Sequence, residues 1–182
     1  MSTKSSNAHY GNVAIAIHWV SALLIITVLG LGFRAGQTIE PVAKASLLQI
    51  HIPLAILVFI LTLFRIVWWW RFDHKPAPAG NDPRWQQMSA KAIHVAFYVI
   101  ILGMAASGIG MMVLSGAGPI IFGGAQGVLP DFHSYLPRTP HGLGARLMSM
   151  LLILHAGAAL YHHFIGRDIT LKRMWFGKAD PS

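Results

Sequence analysis

The stretch Ala45 to Trp70, ASLLQIHIPLAILVFILTLFRIVWWW, is an unbroken apolar run with one formal charge, Arg65, near its end. A helix needs about 20 predominantly apolar residues to cross roughly 30 Å of hydrocarbon, and this run is long enough. It ends in three tryptophans, which suit the interfacial belt at a membrane surface. Three further runs have the same character: Val13 to Phe33, Ala92 to Leu114, and a last one from Leu147 to Ile165 whose helix starts earlier, near Leu143 or His141. The expected architecture is all-α: one polytopic membrane domain spanning residues 1–182, a bundle of four transmembrane helices at about 13–33, 45–70, 92–114 and 143–165. The first run is too long for a cleaved signal peptide, and no cleavage signature follows Phe33.

Composition narrows the class. Of 182 residues, 54% are hydrophobic and only 11% charged, against roughly 25% charged in an ordinary soluble domain. A water-soluble globule, a disordered chain and a nucleic-acid-binding domain are all disfavoured. With no cysteine, disulfides, thiolate metal sites and c-type haem attachment are excluded.

Lysine and arginine collect in cytoplasmic segments. The N-terminus, the second connection and the C-terminus hold Lys4, Arg65, Arg71, Lys75, Arg84, Lys91, Arg167, Lys172, Arg173 and Lys178, whereas the other side holds Arg34, Lys44, Arg138 and Arg146. Both termini are therefore expected in the cytoplasm. Asp73 to Pro83 reads as a proline-rich linker, and Ser115 to Pro140 as a long external loop.

Ten histidines remain to be explained. Ionisable side chains inside a bilayer are costly and by default face the bundle interior with a partner. His155 and His162 are seven residues apart, so they point from one stripe of the last helix and lie roughly 10 Å apart along it. Two such residues cannot share one metal, whose imidazole ligands approach to about 2 Å. Either there are two sites, each with a ligand from another helix, or there are none. Depth pairs His18 with His162 and His51 with His155. The second pairing needs helix tilt, because His155 looks deeper than His51.

All six acids, Glu40, Asp73, Asp82, Asp131, Asp168 and Asp180, fall in loops or tails. A di-iron carboxylate bundle needs inward-facing glutamates, and catalytic zinc normally takes three protein ligands. Two sites of two histidines match bis-His haem b, in which the porphyrin supplies the equatorial nitrogens. Small residues beside the histidines, Ala158, Ala159 and Gly157 on the last helix and Ala14, Ser21 and Ala22 on the first, leave room for a flat macrocycle; they also suit plain helix packing. His94 reads as an interfacial polar residue or as a contact to a quinone or propionate. His163 faces solvent, a headgroup or a propionate, and Arg65 either snorkels or pairs with a propionate. His9, His74, His133 and His141 read as surface residues.

IHW at Ile17 to Trp19, QIHIPLAILVFILTLFRIVWW from Gln49, HVAFYVIILGMAASG from His94 and LHAGAALYHHFIGRDITLKRM from Leu154 together resemble the bacterial cytochrome b561 family, four-helix di-haem b proteins of the inner membrane. The similarity runs from about Ala16 to Met174 and is weakest in the external loop. The resemblance implies two haem b groups on His18, His51, His155 and His162. It also implies electron transfer between a partner on one face and a quinone in the bilayer. One type oxidises superoxide at the outer face and reduces ubiquinone. An alternative is a cytochrome subunit that anchors a separate soluble redox partner. A haem-free transporter is disfavoured, because no carboxylate lies in a span to couple ions.

Overall fold

Glu40 shows how the sequence starts a helix at the membrane edge. Its carboxylate accepts from the backbone N–H of Val42 at 2.8 Å and of Ala43 at 2.6 Å, with Pro41 in the first helical position, where a missing N–H costs nothing. The computed structural model describes residues 2–77, 83–125 and 127–175, and among these every regular element is helical. Four helices are long and apolar enough to cross a membrane: α1 (Asn12–Gln37), α2 (Pro41–Val67), α3 (Arg84–Ser115) and α5 (Arg138–Phe164). A short α4 (Gly118–Phe122) lies between the last two. Asp82, Lys178 and Asp180 fall outside the described residues.

The apolar side chains point outward. Ile153 and Val113 are each 73% exposed, an arrangement tolerated only where the surrounding solvent is itself apolar. The four helices and this outward apolar surface make the chain a membrane protein.

Each helix runs past the apolar segment that predicts it. A π turn, Trp68–Phe72, extends α2, and the Trp68 and Phe72 rings stack at 5.8 Å. The start of α3 at Arg84 adds two turns of mixed polarity before Ala92. Helix α5 begins at Arg138, ahead of the expected start near Leu143 or His141. Pro137, Pro140, Gly142 and Gly144 give that stretch the composition of a loop. Yet the first four N–H groups of a helix have no internal partner, so a proline in the first turn breaks nothing. Glycine residues there meet close neighbours: a Cβ on Gly144 would lie 2.7 Å from Met104 Cγ on α3.

Helix α1 packs along α2, and α3 along α5, while α2 and α3 touch less and the remaining long-helix pairs hardly at all. The molecule is thus two helix pairs facing each other across a loosely packed seam. The start of the connection after α3 packs against the helices. Ala117 and Ile121 are 0% and 1% exposed, and Gln49 Nε2 on α2 donates to the Ile121 carbonyl at 2.6 Å. This cap covers the far face, opposite the termini.

On the terminal face, segments remote in sequence are tied together. Asp73 accepts from Ser5 N–H at 3.0 Å, from Ser5 Oγ at 2.8 Å and from Trp68 Nε1 at 3.2 Å. Burial opposes ionisation of this carboxyl, but hydrogen bonds from Ser5, His74 and Trp68 outweigh it and hold it below the usual carboxylate range.

Candidate functional site

Five intramembrane histidines line the seam: His18 from α1 and His51 from α2 on one wall, and His94 from α3 with His141 and His155 from α5 on the other. On the terminal side, His18 and His155 face each other with ring centres 6.2 Å apart. On the far side, His51 and His141 do so at 6.4 Å. Neither expected pairing, His18 with His162 or His51 with His155, brings its rings together. Because α5 starts at Arg138, His141 lies inside the helix, and His155 sits deeper toward the terminal face than a start at Leu147 implies.

The spacing of His141 and His155 explains why both face the seam. Fourteen residues return the helix to within roughly 40° of the starting direction, and at about 1.5 Å per residue the two levels are roughly 21 Å apart along α5. Both histidine levels therefore lie on one stripe, more widely separated than the His155–His162 interval suggests.

Hydrogen bonds to Nδ1 orient the far-side rings. His51 Nδ1 lies 3.0 Å from the Val28 carbonyl, and His141 Nδ1 lies 3.1 Å from the Met104 carbonyl, with Ser107 Oγ at 3.0 Å. A carbonyl can only accept, so each Nδ1 carries the proton and donates. Nε2 is left on each ring with a free lone pair, the tautomer that metal-binding imidazoles adopt. His141 thus stands half-buried in the seam opposite His51, where the sequence reading has a surface residue. The signal that finds it is its 14-residue interval to His155, twice the seven-residue interval already singled out.

Two glycines make room for these rings. A Cβ on Gly32 would sit 3.0 Å from His51 Cε1, and one on Gly108 would sit 3.4 Å from His141 Cε1. Gly32→Val is expected to push the His51 ring from its position, since forcing extra volume into a packed site costs about 1–3 kcal/mol. The check is haem content by pyridine haemochrome, with a loss confined to the far-side level.

His162 is occupied elsewhere. Its Nδ1 is 2.5 Å from Asp168 Oδ2 in the loop that follows α5, and the same carboxylate also receives the Thr170 N–H at 2.8 Å. For Asp168, burial opposes ionisation, but hydrogen bonds from Thr170 and His162 hold the carboxyl below its usual range. The pair fixes the turn out of the helix. Among the described residues the buried His163 Nδ1 has no hydrogen-bond partner. His94 lies 5.7 Å from His155, and Phe97 lies 5.5 Å from it. Since α3 and α5 belong to the same pair, His94 stands beside His155 rather than across the seam. Arg65 and Lys91 come close enough to Lys75 to act on its amine, which burial lowers first and those two cations lower further. Arg65, Lys75 and Lys91 thus gather at the terminal end of the seam.

At the far end, Arg138 lies one turn before His141. Its guanidinium rests where glycines leave space, Nη2 being 3.7 Å from the Cβ position of Gly36 and Nη1 2.8 Å from that of Gly142. Among the described residues it forms no ion pair with an acid.

A four-helix membrane protein with imidazoles opposed in pairs across its interior is the class that fold and site define. The chain belongs to the prokaryotic cytochrome b561 family, whose sequence profile, described as "Prokaryotic cytochrome b561", matches residues 9–177. It is 28% identical over 169 residues to "Cytochrome b561 homolog 1" of Escherichia coli (strain K12), covering 91% of this chain and 96% of the relative. "Cytochrome b561 homolog 2" of the same organism is 26% identical over 183 residues, covering 96% and 95%. A Yersinia pestis protein, "Probable superoxide oxidase CybB", is 28% identical over 172 residues, covering 91% and 94%. Membership makes the chain a membrane b-type cytochrome of electron transfer and implies that it binds haem b.

Proposed function

We propose that the chain holds two haem b groups in the seam, one between His18 and His155 and one between His51 and His141, and carries electrons from the far face to a quinone at the terminal face. The observation that carries this reading is the separation of the opposed rings. An imidazole nitrogen binds a metal at about 2 Å and its ring centre lies about 1.2 Å behind, so two imidazoles on opposite sides of one metal have centres roughly 6 to 6.5 Å apart. The 6.2 and 6.4 Å separations fall in that range, whereas the 5.7 Å between His94 and His155 does not. Among the described residues no three metal-binding side chains converge, which suits a macrocycle that asks only two ligands of the protein.

When bound, haem b supplies a one-electron carrier at each level. His18 with His155 and His51 with His141 would hold the two groups, and two histidines to each haem would favour electron transfer over dioxygen binding. In the favoured reaction two superoxide ions each give up one electron and leave as dioxygen. One ubiquinone takes both electrons with two protons and leaves as ubiquinol. Arg138 and Arg34 give the far face the positive charge that steers a small anion. His94, Arg65 and the cations around Lys75 offer the quinone headgroup hydrogen bonds and stabilise its developing negative charge. His163 stands at the same end of α5. In this reading the chain lies in the bacterial inner membrane with both termini cytoplasmic, following the lysine and arginine distribution. The name of the Yersinia pestis relative supports the superoxide assignment.

The test is direct. Purified protein is expected to give two haem b per chain by pyridine haemochrome, to be reduced by superoxide in stopped flow and to be reoxidised by ubiquinone-1. Haem without reduction above a superoxide-free control would overturn the superoxide assignment and favour a subunit that serves a soluble redox partner. A preparation without a Soret band overturns the whole reading.

A further inference from the structure

Arg173 is 7% exposed, and among the described residues its buried Nε has no hydrogen-bond partner and its guanidinium forms no ion pair. Its Nη2 donates to the Ala77 carbonyl at 2.9 Å, and its guanidinium carbon lies 5.8 Å from the centre of the Tyr10 ring. A buried cation with no counter-charge among the described residues is expensive, and an anion that completes it offsets the cost.

The position of Arg173 identifies that anion. After α5 ends at Phe164, the His162–Asp168 contact turns the chain. The next turn, Lys172–Met174, arrives at the opposite helix pair. There the Met174 carbonyl accepts from Trp19 Nε1 on α1 at 2.7 Å, while Arg173 reaches Ala77 beyond the end of α2. The segment therefore crosses the floor of the seam from one pair to the other. Trp19 is in edge contact with His18, at 5.4 Å between ring centres, so the segment is tied to the neighbour of one histidine of the His18–His155 level.

We infer that Arg173 is an oxyanion receptor at the floor of the seam, and that the oxyanion it receives is a propionate carboxylate of the haem held by His18 and His155. This rests on the two-haem reading above. A guanidinium presents its N–H groups as a fork that matches a carboxylate in two parallel hydrogen bonds, and the unpartnered Nε is one prong of that fork. The same contact would tie the carboxy-terminal segment to both helix pairs through the cofactor, so that haem binding and closure of the floor are one event.

The experiment compares wild type, Arg173→Gln and Arg173→Lys, each purified with haem and examined by pyridine haemochrome and redox titration, and as apoprotein reconstituted with haem b or its dimethyl ester. Wild type is expected to hold both haems and to bind the ester at the terminal-side level at least about tenfold more weakly than haem b, the loss of a charge-assisted hydrogen bond. Arg173→Gln is expected to bind haem b at that level about as weakly as wild type binds the ester, to discriminate little between the two, and to lower the midpoint potential of that haem, since removing a nearby cation favours the ferric form. Arg173→Lys, which keeps the charge without the fork, falls between. Should Arg173→Gln fail to accumulate, the wild-type and Arg173→Lys comparison of haem with its ester decides. Equal discrimination against the ester in wild type and Arg173→Gln, with an unchanged midpoint, overturns the inference while leaving the two-haem reading intact. A midpoint shift seen only in nanodiscs containing phosphatidylglycerol, and absent in lipid-free detergent, assigns Arg173 to a phospholipid phosphate and likewise overturns it. Absence of haem from wild type is instead the failure of the two-haem reading.

Discussion

Alanine in place of His141 is expected to halve the haem content of the purified protein, while alanine in place of His162 leaves it whole. The contrast follows from where the two imidazoles are used. His141 faces His51 at 6.4 Å, with Nδ1 committed to the Met104 carbonyl, so in the proposed two-haem arrangement its removal takes away one of the two ligands at that level. Losing even an outer-shell partner of a metal ligand typically costs about 10–100-fold in affinity, and loss of the ligand itself costs more. His162 instead bonds Asp168 and fixes the turn after α5. Its alanine variant is expected to loosen that turn and to leave both axial pairs in place. Pyridine haemochrome on the two variants is sufficient. Retention of both haems by His141→Ala, or loss of one by His162→Ala, would return the ligand set to the one that the sequence resemblance implies.

The second large effect separates the two levels kinetically. His155→Ala is expected to keep the far-side carrier and its reduction by superoxide, and to lose reoxidation by ubiquinone-1 by at least about a hundredfold, again because an axial ligand is removed. The far-side level lies roughly 21 Å away along α5, so it cannot substitute for the missing one in reaching the terminal face. His51→Ala is expected to behave in the opposite sense, with slowed reduction by superoxide while the terminal-side haem remains in place. Stopped-flow traces of the two variants, recorded separately for the reductive and oxidative halves, check both. Unimpaired ubiquinone reduction in His155→Ala would place the quinone at the far face.

How much of this is legible in the sequence can be argued from single residues. The four spans are legible because a membrane-crossing helix must be a long apolar run, and no other element satisfies its backbone in hydrocarbon. His18, His51 and His155 are legible as interior residues for a similar reason, since an imidazole inside such a run needs a purpose. His141 is hidden. Its neighbours Pro137, Pro140, Gly142 and Gly144 carry the composition of a turn, and only the observed first turn of α5 reveals that the prolines occupy positions where they break no hydrogen bond. With the helix start placed later, depth matching pairs His51 with His155 and His18 with His162, whereas the rings that face each other across the seam are His51 with His141 and His18 with His155. The external loop is legible only as a loop; that Ile121 is buried and held by Gln49 is a property of the folded chain.

The sequence by itself determined the solvent in which this protein folds, the number of crossings and the presence of interior imidazoles, because hydrophobicity and helical period are local quantities. The tertiary structure decided which imidazole faces which. That choice depends on where each helix begins, how the pairs α1–α2 and α3–α5 lie across the seam, and which carbonyl claims each Nδ1. Those relations join residues as far apart as Val28 and His51, or Met104 and His141, and no periodicity along a single helix encodes them.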